Sequence, residues 1–110
     1  HEQVYEATLF LLKARDSIEH VLSLEDLPFD YWTSQDKASA REVCSTLHVV
    51  GVIASAPTFP IRLFGEIWYY SIPNVRRVLE PYLAEVRAQR GERYYHRVDW
   101  LASTIAGAAS

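Results

Sequence analysis

Between Ser34 and Ala56 the apolar positions recur with helical spacing. Ala40, Val43, Cys44, Leu47 and Val50 follow the i, i+3, i+4, i+7 rule, which puts them on one face. From Val49 to Ala54 the chain is apolar on every side. A helix that loses its polar face must be surrounded, so the pattern predicts a central helix over about 34–56. Gly51 inside it costs about 1 kcal/mol relative to alanine. With Ala54 and Ser55 it offers a small surface on which a second helix can come close.

The flanking segments repeat the signal. Glu2 to Leu22 carries the stripe Val4, Ala7, Leu11, Ile18 and Leu22, with Ala14 and Arg15 between. Leu9, Phe10, Leu11 and Leu12 run consecutively and cover most of the circumference. Ser23 to Thr33 is broken by Pro28 but holds Leu24, Leu27, Phe29, Tyr31 and Trp32, too apolar for a free linker. It reads as a clasp folded over the bundle. Thr33 or Ser34 can cap the central helix, with Gln35 and Asp36 near its positive end. After Pro57 and Pro60, Ile61 to Tyr70 predicts a short helix with Leu63, Phe64, Ile67 and Trp68 inward. A cap at Ser71 or Ile72 starts the next, whose stripe runs Val75, Val78, Leu79, Tyr82, Leu83, Val86 to about Arg90. Pro81 should bend it, and Gly91 should stop it in a left-handed conformation. Tyr94 to about Ala106 is the last helix, with Tyr95, Val98, Leu101, Ala102 and Ile105 inward. The expectation is an all-α, single-domain bundle of four to five helices without a sheet. Residues 1–33 form the first helix and clasp, 34–106 the helical core, and 107–110 a frayed tail.

Composition adds limits. A chain of 110 residues is one domain by length and can bury a real core. A single cysteine, Cys44, excludes an internal disulfide and suits a reducing, cytoplasmic setting. No run reaches the roughly 18 apolar residues of a membrane span, and no segment of this sequence reads as a signal peptide with a basic start and an apolar middle. Methionine is absent, and the chain starts at His1. It therefore reads as a soluble piece of a longer protein. The net charge of −3 is unevenly placed: residues 1–36 hold two bases against eight acids, whereas 76–110 hold six arginines against four acids. The expectation is that the two ends attract each other within the fold.

Candidate chemistry is sparse. Cys44 and His48 share a helix face and could supply half a zinc site, but no CxxC or HExxH spacing completes it, and Cys44 falls in the apolar stripe. His96, Asp99 and Ser103 also share a face, without the strained turn and oxyanion hole that a nucleophilic serine needs. A di-iron bundle wants Glu-x-x-His on two helices. Positions 17, 45 and 93, three before the internal histidines, hold Ser17, Ser45 and Arg93. The four glycines are scattered, so there is no phosphate loop. No cofactor is expected. Arg76, Arg77, Arg87, Arg90, Arg93 and Arg97, beside Tyr94, Tyr95 and Trp100, could touch nucleic acid. Glu80, Glu85, Glu92 and Asp99 interrupt that stretch and disfavour it. The interaction candidates are Leu9, Phe10 and Leu12 on the first helix and Arg87 and Arg90 on the fourth. Trp68 and Trp100 are expected as large core anchors.

Residues 40–102 resemble a family of bacterial helical domains known only as a domain of unknown function. The features that carry the resemblance are the Ala40/Val43 helix ending Val50-Gly51, the Trp68 helix, Pro81-Tyr82-Leu83-Ala84-Glu85-Val86-Arg87, and Asp99-Trp100-Leu101-Ala102. The resemblance implies a non-catalytic helical module, often preceded by transmembrane helices, with no catalytic residues to carry over. Function is therefore expected to be that of an interaction or regulatory module, the soluble part of a membrane-attached bacterial protein. It would bind a protein partner or itself, and meet a membrane only through segments absent from this chain. The alternative is a nucleic-acid-associated domain built on residues 76–97; a metal-dependent enzyme using Cys44 and His48 comes third.

Overall fold

In the computed structural model, which describes residues 1–108, the central helix runs from Ser34 to Ala54. Every predicted helix is present, and two of them are split, so the described residues form seven helices and no strand. They are α1 (Glu2–Lys13), α2 (Arg15–Leu22), α3 (Ser34–Ala54), α4 (Ile61–Trp68), α5 (Ser71–Val78), α6 (Glu80–Arg90) and α7 (His96–Ala108). A 3-10 turn, Phe29–Tyr31, lies between α2 and α3. Helices α1, α2 and α7 all pack on α3, and α4 and α5 complete the wall along α7. The expected tail is helical at Gly107 and Ala108; residues 109–110 lie outside those described.

The first split is at Ala14, whose φ of −96° and ψ of 8° end one helix and start the next. The change of direction lets α2 pack on both α3 and α5. The second split is at Leu79. Proline cannot donate the backbone hydrogen bond that a continuous helix needs at position 81. Pro81 therefore sits in the first turn of α6 instead of bending a longer helix.

Helix α3 begins with a capping box. The Thr33 hydroxyl accepts from the Asp36 amide at 3.1 Å, and the Thr33 amide donates to Asp36 Oδ2 at 2.8 Å. Ala40, Val43, Cys44, Leu47 and Val50 are fully buried, as the periodicity required. The last turns differ from expectation. Val50, Gly51 and Ala54 are covered, but Val49 and Val52 face outward. The neighbours of α3 enclose one side of this stretch rather than all of it. At Gly51 a Cβ atom would lie 2.8 Å from both Cβ and the carbonyl oxygen of Arg97, so α7 uses the space that glycine leaves.

The clasp is real in part. Leu24 and Trp32 are buried, while Leu27 and Tyr31 stay open. The Trp32 indole donates to the Leu27 carbonyl, and its ring meets Phe29 edge-on at 4.9 Å. Lys37 of α3 lies over the Phe29 ring at 4.8 Å and pins the clasp to the helix that follows it.

Helix α4 corrects another expectation. Phe64 is fully buried and Trp68 packs on the core, but Leu63 and Ile67 face outward. An eight-residue helix at the edge of a bundle buries one face only. Trp32 is the more deeply buried tryptophan; Trp68 and Trp100 are only partly covered. Phe59, between two prolines, joins the core by edge contact with Phe64 at 5.2 Å.

Candidate functional site

Helix α1 buries Val4, Ala7 and Leu11 against α3. The opposite face carries Tyr5, Leu9 and Leu12 at i, i+4 and i+7, so three apolar side chains form a row along the outside. They are 66%, 36% and 51% exposed, and Phe10 on the shoulder is 37% exposed. Glu6, Leu9, Phe10 and Lys13 edge a shallow depression there. Along α1 the flanking charges are sorted by sign, Glu2 and Glu6 in its first half and Lys13 at its end, and Arg15 and Asp16 follow at the start of α2. Among the described residues Glu2, Glu6 and Lys13 take part in no ion pair.

Next to this row lies an apolar cleft of about 300 Å³ between α1, α2, α3, α4 and α5. Leu12, Ile18, Leu22, Trp68 and Ile72 form its walls, and Arg15, Glu19 and Ser71 contribute its polar atoms. The Trp68 indole nitrogen is buried without a hydrogen-bond partner. The open side of α1 and the cleft share Leu12, so they form one continuous apolar surface.

Polar groups that looked available in the sequence are mostly engaged in the fold. Asp99 in the first turn of α7 receives Arg76 of α5 at 2.5 Å and also binds Arg87 of α6. Arg76 further pairs with Glu80 at 2.6 Å. Arg87 donates to the carbonyl oxygens of Tyr94 and Tyr95 at 2.9 and 3.4 Å. Those contacts hold the turn in which Tyr95 takes a φ of 58°, alone among the described non-glycine residues. Gly91 stops α6 at a φ of 107°, positive as expected, but with an extended ψ of 155° rather than a left-handed helical one. Burial works to raise the Asp99 pKa, but the two guanidinium groups outweigh it and hold the carboxyl below its usual range. Arg87 thus ties α6 to the last helix and to the turn before it. Of the arginines, Arg77 reaches the acidic first third, through Glu25 at 2.5 Å.

His20 and Asp36 form a second cluster that the sequence did not disclose. The ring Nε2 lies 2.6 Å from Asp36 Oδ1, tying α2 to the start of α3. The Thr33 amide first, and then His20, lower the Asp36 pKa. The T-x-x-D capping pattern was the available signal for half of this arrangement; the histidine, sixteen residues earlier, had none.

Cys44 is buried, and burial pushes its thiol up to about 12, so it is neither a ready nucleophile nor a ready ligand at neutral pH. His48 is at the boundary, with its ring 5.4 Å from that of His96 and 6.1 Å from that of Tyr95. Its Nδ1 is buried without a partner, and burial, then His96 and Arg97, lower its pKa. Among the described residues no three metal-ligating groups converge. The His96, Asp99 and Ser103 face does not assemble either: Asp99 is taken by arginines, and the Ser103 hydroxyl donates to the Trp100 carbonyl. Of the six arginines in residues 76–97, Arg76 and Arg87 are turned inward, and Arg90 and Arg97 lie over Tyr94 and Trp100.

No helix among the described residues is long and apolar enough to cross a membrane. No family model, curated protein or solved structure matches this chain.

Proposed function

We propose that this domain is a non-catalytic interaction module and that it associates with itself through the outer face of α1. One observation carries the reading: the row Tyr5, Leu9, Leu12, with Phe10 beside it, is open to water on a helix whose other face is fully committed to the core. Contiguous exposed apolar groups rimmed by charge are characteristic of protein contact surfaces. The resemblance of residues 40–102 to a bacterial domain often preceded by transmembrane helices extends the reading. It makes the domain the cytoplasmic part of a membrane-attached protein that reports or regulates by association.

The nucleic-acid alternative has less to draw on. Phosphate contacts need free cations, and Arg76 and Arg87 are occupied by Asp99. A metal enzyme would need a ligand set beyond Cys44 and His48.

Sedimentation velocity from about 1 µM to about 1 mM covers the range of weak complexes. The weight-average mass is expected to rise with concentration. A strict monomer throughout would remove self-association.

A further inference from the structure

The charges around the exposed row on α1 favour one partner and one direction. Glu2 and Glu6 lie in the first half of α1 and Lys13 at its end, and among the described residues none has an ionic partner within the chain. A parallel approach of two such helices would set acid on acid and base on base. An antiparallel approach sets each acidic end on a basic end. We infer that α1 pairs antiparallel with α1 of a second copy about a two-fold axis at Leu9.

The register follows from symmetry. A two-fold interface uses the same patch on both copies, so every contact occurs twice. With Leu9 on the partner's Leu9, Tyr5 falls beside the partner's Leu12, and Glu6 falls within a turn of the partner's Lys13. Both apolar and ionic complementarity are met in one register. Leu12 also lines the apolar cleft, so the partner's Tyr5 ring arrives at the cleft edge. That contact extends an interface that α1 alone, about 18 Å long, would leave small. A standard interface covers roughly 800 Å² per partner, and this one falls below it, so the association is weak and concentration-dependent.

This pairing rests on the self-association reading, and the experiment separates the two. Leu9→Asp places two like charges at the axis and is expected to weaken the dimer about tenfold or more, since the residue counts twice. Leu9 lies outside the buried core but is only 36% exposed, so some loss of melting temperature is expected, and a circular dichroism spectrum of parental shape checks that the variant is folded. Glu6→Lys and Lys13→Glu, each alone, place like charges together and should weaken the dimer roughly three- to tenfold at low salt. An equimolar mixture of the two variants restores both opposite-charge pairs in a mixed dimer, which should associate more tightly than either variant alone. A concentration-dependent parent that ignores Leu9→Asp would overturn the pairing and leave self-association through another face. A mixture no tighter than its components would overturn the antiparallel register. A parent that is monomeric throughout would overturn both.

Discussion

At Gly51 the backbone of α3 meets α7 more closely than any side chain would allow. A methyl group there would sit 2.8 Å from the Arg97 carbonyl oxygen, which belongs to a helix and cannot swing aside. Gly51→Ala should therefore force α3 and α7 apart and lower stability by about 1–3 kcal/mol, although alanine is the better helix former. A thermal melt equal to that of the parent would show that the two helices have slack. This glycine was legible because it sits in an unbroken helical stripe, where it is costly without a reason. Tyr95 was not legible. Tyrosine has no preference for positive φ, and it is placed there by Arg87 binding two successive carbonyls across the turn. Cys44 was legible from its place in the stripe; the His20 partner of Asp36 was not.

Among the elements, the two splits teach different things. Pro81 was visible, but its consequence depends on where the helix begins. A proline inside a continuous helix costs about 3 kcal/mol or more, so its replacement would stabilise the fold. In the first turn it costs little and restricts the unfolded chain, so Pro81→Ala should instead lower stability by up to about 1 kcal/mol. Urea unfolding at equilibrium distinguishes the two signs. The split at Ala14 had no local signal, since Lys13, Ala14 and Arg15 all favour helix. Tertiary packing of α2 on α3 and α5 overrides propensity there. The same limit explains α4. Leu63 and Ile67 looked like core positions because the segment is apolar nearly all round, and only the position of α4 at the bundle edge decides which face is covered.

On the scale of the whole molecule, periodicity fixes which face of a helix turns inward, and it leaves the neighbours of that face open. That is why the buried stripes of α3, α5, α6 and α7 could be read from the sequence while the partners of Arg76 and Arg87 could not. Asp99 joins α5, α6 and α7 at one carboxylate, so its loss should be felt by the whole bundle. Asp99→Asn leaves the inward-turned Arg87 without an anion and Arg76 with Glu80 alone. Because the carboxylate is 40% exposed, water screens part of that loss, and about 1–3 kcal/mol is expected rather than the larger cost of a dry pair. The folded-state pKa of Asp99 lies below its unfolded value. Its contribution is thus complete above the unfolded value of about 4 and disappears as pH falls through the lowered one. The gap in melting temperature between the parent and Asp99→Asn should be constant from pH 5 to 7 and should narrow below about pH 4. A gap that stays flat to pH 2 would mean that the arginines hold a neutral oxygen as well as a charged one, and that the ionic junction does not bind the three helices together.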